Sequence, residues 1–273
     1  RHAWLLSSGK AALTTILRAL KHRAPDRKEV LIPAYTCYSV PAAIVRAGLK
    51  VRLADIDPDT LDYDYAALAA DPPARERLLA ALSIHLFGLP ADPDKLAQTL
   101  NDPAIAVIED AAQAMGTMAG GKYLGTAGTA GFFSLGRGKA LSTVAGGIIV
   151  TDSDALAEVL DPLIDDLPVP AVTETAEIGG YALALSVLTR PSWFWLPRAL
   201  PVLKLGRTIY DPHFPVRGYA PLQAGLAAGW QAELTTLQQV RTRNVRFWGE
   251  TVARFSWLQP VWAAGGKAPV YPL

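Results

Sequence analysis

Gly131 to Gly147 reads GFFSLGRGKALSTVAGG, a short apolar run ending at Ser134, a turn broken by glycines, and one lysine, Lys139, among small residues. A buried strand that ends in such a turn can hold an amine in a partly desolvated pocket, where a lysine becomes a nucleophile able to form a Schiff base. Most lysines are solvated surface charges, so the pattern carries weight only with partners.

Two stretches supply them. Ala104 to Asp110, AIAVIED, is an apolar run of strand length that stops on two carboxylates and continues into AAQAMG. A parallel strand with this ending places its acid at the carboxyl edge of the sheet, where open α/β sheets bind ligands. Ser7 to Leu20, SSGKAALTTILRAL, puts Leu13, Ile16, Leu17 and Leu20 on one helix face. Ser8 can cap that helix, and Gly9 lets a ligand approach the free N–H groups of its first turn, which suits a phosphate. An amine, an acid and an anion site in one sheet suggest pyridoxal 5′-phosphate, with Lys139 joined to it, Asp110 on the pyridine nitrogen and the helix start on the phosphate.

The blocks SSGKAAL, VLIPAYTCYSV, ADIDPDT, IHLFGLPAD, VIEDAAQAMG and FFSLGRGKALSTVAGGIIVTD follow one another over most of the first 152 residues, and APLQAGL follows at 220–226. In order and spacing they resemble the DegT/DnrJ/EryC1/StrS sugar aminotransferases. The resemblance implies an aspartate aminotransferase-like α/β fold of the PLP-transferase type: a large domain over 1–220 with a mostly parallel central sheet flanked by helices. A linking helix and the start of a small C-terminal α+β domain would occupy 221–273. It further implies that Asp110 faces the pyridine nitrogen and Gln113 the phenolic oxygen, and that Ser134 joins Gly9 and Lys10 at the phosphate. Lys139 would bind the cofactor and move the proton. Lysine rather than histidine at 139 implies transamination rather than sugar deoxygenation. The implied activity is transfer of an amino group from an amino acid, glutamate being expected, to a nucleotide-linked keto sugar for amino-sugar or surface polysaccharide synthesis, by a cytoplasmic homodimer.

Several positions depart from the family pattern. Lys10 stands for a usual hydroxyl residue, and Cys37 for a ring-stacking aromatic, which leaves its neighbour Tyr38 as a candidate for the cofactor face. Met115 stands for a histidine. Val216 falls near an asparagine that reaches the neighbouring subunit's phosphate, with Arg217 as a candidate substitute. Arg137 could reach the phosphate or an acidic substrate, or be solvated. These departures leave open a homologue with a binding or regulatory role, or another enzyme of the same fold such as a lyase acting on an amino acid.

Composition sets outer bounds. The chain has 273 residues, half of them apolar, enough for one large core and a smaller lobe. A net charge of +1 gives no reason to expect a nucleic-acid partner. The single cysteine, Cys37, excludes a disulfide framework and fits a reducing cytoplasm. There is no secretory signal pattern and no apolar run of membrane-spanning length. Asp55 and Asp57 precede a turn at Pro58 to Thr60, so they punctuate it, and no metal site is expected. His85 ends an apolar strand and reads as a packed, hydrogen-bonded residue.

The remaining elements follow from pattern. Glu29–Pro33, Val51–Ile56, Leu78–His85 and Gly146–Asp152 are expected strands; Asp92–Leu100 and the stretch from Ser153 are expected helices. Gly120-Gly121 predicts a two-residue hairpin turn. Leu222–Trp248 predicts one long helix. Tyr181–Leu205 is apolar and aromatic but broken by Arg190, Pro191, Arg198 and Pro201. A subunit contact is favoured for it, over a pocket wall or a membrane surface. Family members carry a further segment before the phosphate helix, and residues 269–273 resemble the first strand of the small domain, so an incomplete chain is expected.

Overall fold

Runs such as LLAALSI at 78–84 have no polar alternation, and a strand with that composition is stable only when both its faces are covered. The computed structural model describes residues 1–188, 190, 192–193 and 210–258. In chain order these form β1 (His2–Leu6), α1 (Gly9–Arg23), β2 (Glu29–Pro33), α2 (Ser39–Arg46), β3 (Lys50–Ala54), α3 (Tyr65–Ala70), β4 (Leu78–Ile84), α4 (Pro93–Leu100) and β5 (Ala106–Asp110). There follow β6 (Met118–Ala119), β7 (Lys122–Tyr123), β8 (Ala130–Ser134), β9 (Gly147–Thr151), α5 (Asp154–Asp165), α6 (Val172–Leu188), α7 (Pro221–Leu226) and α8 (Trp230–Val252).

Seven strands make one sheet in the order β1-β9-β8-β5-β4-β2-β3. Every pairing from β8 to β3 is parallel, and β9 alone runs against its neighbours. The expected α/β architecture, a mostly parallel sheet between helices, is therefore what forms. All seven residues of β4 are buried. Its Ala80, Leu82 and Ile84 join the core under α1 and α2, and its Leu78 and Ala81 join Leu96 and Leu100 of α4. Burying each such leucine side chain contributes about 2 kcal/mol, which is why the central strands tolerate no charge.

Local signals are honoured where the sequence gives them. The Ser8 hydroxyl accepts from Ala11 N–H at 3.1 Å and caps α1, whose Leu13, Ile16, Leu17 and Leu20 are all buried. Gly120 and Gly121 have φ of 56° and 80°, the two left-handed residues that a tight β6–β7 turn requires.

One expectation fails. Leu222–Trp248 is not a single helix: α7 and α8 are separated at Ala227–Gly229, where Gly229 takes φ 78°. Glycines at 225 and 229 weaken the helix there, and the second supplies the left-handed turn that starts α8. The apolar stretch beginning at Tyr181 belongs to a helix that starts earlier, at Val172. Its continuation from Phe194, with Arg198 and Pro201, lies outside the described residues, as does Pro191; so do residues 269–273.

Candidate active site

The carboxyl ends of β5 and β8 lie side by side, with Asp110 in register between Ile84 and Phe132. Asp110 is the last residue of β5 and Ser134 the last of β8, so both side chains emerge at the sheet edge. α1 crosses over β8 and β9 and delivers its N-terminus to the same edge. There Gly147 leaves no room for a side chain, and Gly9 leaves little. A Cβ on Gly9 would lie 3.0 Å from the Ser134 Cβ, and one on Gly147 would lie 2.3 Å from the Ser8 carbonyl oxygen. Gly147→Ala is accordingly expected to push the α1 cap off the sheet and cost about 2 kcal/mol or more, read as a lowered Tm in thermal unfolding.

Between these elements lies a cavity of about 430 Å³, within the size range of small-molecule sites. Ser8, Gly9 and Lys10 line it from α1, Cys37 and Ser39 from the start of α2, Asp110 from β5, and Ser134, Arg137 and Lys139 from β8 and the loop after it. Lys139, Asp110 and the phosphate-helix start thus share one hollow. Two candidates lie elsewhere. Tyr38 stands in the turn that opens α2 and is 58% exposed, off the cavity wall. Gln113 is also off the wall, and its side-chain oxygen accepts from the Phe87 N–H at 2.7 Å.

Electrostatics follows from burial. Desolvation pushes the Asp110 carboxyl above its usual range, offset in part by the Ala112 N–H at 2.9 Å and by the charge of Lys139. Desolvation likewise lowers Lys10, against the pull of Asp211 and Cys37, and its ammonium stands 4.2 Å over the Phe214 ring. Arg137 is exposed and lies 5.7 Å from the centre of the Tyr181 ring. Arg217 is held by its own subunit, through an ion pair with Glu174 and a backbone bond from Ser7 N–H to its carbonyl.

Sequence reasoning missed the groups that hold the lysine loop. Val144, on the cavity wall, is a β-branched residue at φ 71°, a conformation that persists only when its surroundings impose it. Gln223 of α7 imposes it from one side: only 1% exposed, it donates to the Ala145 carbonyl at 2.5 Å and accepts from Ala220 N–H. The Tyr219 hydroxyl donates to Thr143 Oγ1 at 2.8 Å, and that hydroxyl donates to Ala145. No local signal announces contacts across nearly 80 residues.

The other acid of the AIAVIED stretch has a different task. Glu109 is buried and accepts from the N–H groups of Gly125, Ala127 and Gly128, and from His85 Nε2 at 2.9 Å. Since His85 Nδ1 accepts from Ala91 N–H, the ring proton sits on Nε2, and the expected packed histidine is what forms. Burial pushes Glu109 up, but His85 and the loop N–H groups outweigh it and hold the carboxyl below its ordinary range. That contribution to stability is present above the ordinary carboxylate range and lost as pH falls through the lowered value. Glu109→Ala is expected to cost about 3–5 kcal/mol by urea unfolding, because it strands several buried donors at once.

The residues of the cavity fit a phosphorylated pyridine aldehyde. A buried carboxylate and a lysine line the same hollow, and bare helix N–H groups with a second lysine and a serine line it as well, a set suited to an anion. Comparison with known proteins agrees. A pleiotropic regulatory protein of Geobacillus stearothermophilus is 39% identical over 159 residues, 58% of this chain and 42% of that one. The matched stretch spans less than half the length of the curated relatives, 42% of that protein and 32% of the protein MosB of Rhizobium meliloti. Among solved structures, the E. coli GDP-4-keto-6-deoxy-D-mannose-3-dehydratase with bound hydrated PLP superposes at TM-score 0.71, with 21% identity over 99% of this chain and 66% of that one. The sugar aminotransferase CalS13 from Micromonospora echinospora superposes at 0.68, with 25% identity over 98% and 66%. Residues 1–165, which include every residue lining the cavity, match the DegT/DnrJ/EryC1/StrS aminotransferase family, and the chain belongs to that family, whose cofactor is pyridoxal 5′-phosphate.

Proposed function

We propose that the protein is an aminotransferase that moves an amino group from an amino acid, glutamate first among the donors, to a nucleotide-linked keto sugar. The observation that carries this reading is the single cavity shared by Lys139, Asp110 and the start of α1. Pyridoxal 5′-phosphate, when bound, supplies an electron sink for the charge left on the substrate carbon. The N–H groups of Gly9 and Lys10, the Lys10 ammonium and the Ser134 hydroxyl would hold its phosphate. Asp110, as a carboxylate, would keep the ring nitrogen protonated and the ring oriented. Lys139 would anchor the aldehyde carbon, then take the proton from the substrate α-carbon and return it as general acid. Cys37 lines the wall where the resemblance places an aromatic residue, and it would cover less of the cofactor's face.

The sugar class rests on family membership and on the sugar-acting enzymes with the same fold. A cytoplasmic homodimer completes the reading, supported by the family resemblance and the single cysteine. A regulatory role is the alternative, favoured by the name of the Geobacillus relative and by Lys10, Cys37 and Met115 at their positions. Incubation with pyridoxal 5′-phosphate, glutamate and a panel of nucleotide-linked 4-keto sugars separates them. Release of 2-oxoglutarate that depends on the sugar is expected, and no release with any donor or sugar would favour the regulatory role.

A further inference from the structure

Lys139 stands in the loop between β8 and β9, and Asp110, the last residue of β5, leads into a turn over 112–116. One distant stretch, residues 219–238, grips both segments. On the lysine side the loop is closed at its base by Leu135 N–H to the Gly146 carbonyl at 2.8 Å and by Thr143 N–H to the Leu135 carbonyl at 3.0 Å. The Tyr219 ring lies against Gly146, where a Cβ would come within 2.9 Å of it, and the Tyr219 hydroxyl and the Gln223 amide reach Thr143 and Ala145. The strained Val144 sits between those two anchored residues, and strain held at a cavity wall points to function.

The acid side has a matching grip. Gln238 of α8 donates from Nε2 to the Gly116 carbonyl at 3.1 Å. Gly116 takes φ 82°, and a Cβ there would lie 2.4 Å from that nitrogen and 3.1 Å from Leu234, so the turn after Asp110 is built to let α8 approach. The two grips are neighbours in space: Gly116, Gln238, Tyr219 and Leu135 line one second cavity of about 840 Å³ behind the catalytic loops. None of the three gripping residues lies within residues 1–165, where the family match falls.

We propose that Tyr219, Gln223 and Gln238 are positioning residues, which together fix where Lys139 and Asp110 stand across the cofactor cavity. The proposal rests on the reading of that cavity as the cofactor site. A misplacement of about 1 Å far from the chemistry is enough to cost about a hundredfold in rate, so loops that carry both the amine and the acid need such support. Hydroxyl and amide donors suit the task. They hold backbone carbonyls by directed hydrogen bonds and add no charge beside Lys10, Asp110 and Lys139.

Two measurements on the full chain test it. In cofactor-free protein, tryptic cutting after Arg137 and Lys139, followed by mass spectrometry, is expected to run about tenfold faster in Tyr219→Phe and Gln223→Ala, and at the parent rate in Gln238→Ala. With pyridoxal 5′-phosphate added, all three variants are expected to bind it about tenfold more weakly and to shift the pH midpoint of the bound absorption band by about half a unit or more. Gln239→Ala, an exposed neighbour on α8, should match the parent in both. Should Gln223→Ala unfold, Tyr219→Phe and Gln238→Ala carry the test, since each removes one hydrogen bond and is expected to lower Tm by only a few degrees. Variants that keep the parent's midpoint and cutting rates, or that lower Tm while the midpoint stays in place, would overturn the proposal. A parent that takes up no pyridoxal 5′-phosphate would instead end the reading of the cavity, and the positioning role with it.

Discussion

With Lys139 replaced by alanine, amino transfer is expected to fall by about a thousandfold or more, because one side chain serves both as the anchor of the aldehyde and as the group that moves the substrate proton. No other residue can take over both tasks. Lys10 also lines the cavity, but its ammonium is held over the Phe214 ring at the α1 end, within reach of the Asp211 charge. Lys10→Ala is therefore expected to weaken cofactor binding while retaining turnover at saturating cofactor. Steady-state rates of sugar-dependent 2-oxoglutarate release measure both variants. A Lys139→Ala protein within tenfold of the parent would remove the lysine from the chemistry.

Asp110→Asn is expected to lower turnover by about a hundredfold to a thousandfold, since an amide cannot hold a proton on the ring nitrogen by charge. The same substitution should stabilise the ligand-free protein at neutral pH. Burial raises the Asp110 carboxyl above its ordinary range, so the folded chain binds more protons than the unfolded chain across that window. The associated stability is fully present below about pH 4 and is lost as pH rises through the raised value. At neutral pH an ionised carboxylate is thus kept in a buried place at a cost, and asparagine relieves it while still accepting from Ala112 N–H. A Tm gain of a few degrees is expected at neutral pH, shrinking to nothing in acid. Adding pyridoxal 5′-phosphate should raise the Tm of the parent more than that of the variant. A variant less stable than the parent at neutral pH would contradict this balance between function and stability.

What the sequence made legible was what residues dictate to their near neighbours. Ser8 ahead of an apolar-periodic run is enough to start α1, and apolar runs ending in Asp110 and Ser134 are enough to end β5 and β8 at one edge. The separate task of Glu109 became visible only in the structure, although successive strand residues point to opposite faces and only one of the two acids can meet the cavity. The break between α7 and α8 was harder. Leu226, Trp230, Leu234 and Leu237 keep helical spacing across it, so periodicity hides a turn that only Gly229 betrays. The clamp of Tyr219 and Gln223 on the lysine loop, and the Phe214 ring under Lys10, are contacts between distant segments. Neither leaves a local pattern. Tyr38 was a near miss of another kind: one residue along the chain from Cys37, it takes a direction that leaves the cavity to its neighbours.

The central claim is that the amine meeting the cofactor belongs to Lys139. Incubating the protein with pyridoxal 5′-phosphate, reducing with borohydride and mapping the digest by mass spectrometry tests it directly. One modified peptide is expected, carrying the phosphopyridoxyl group on Lys139. The same group on Lys10 or another lysine, or on none, would contradict the account.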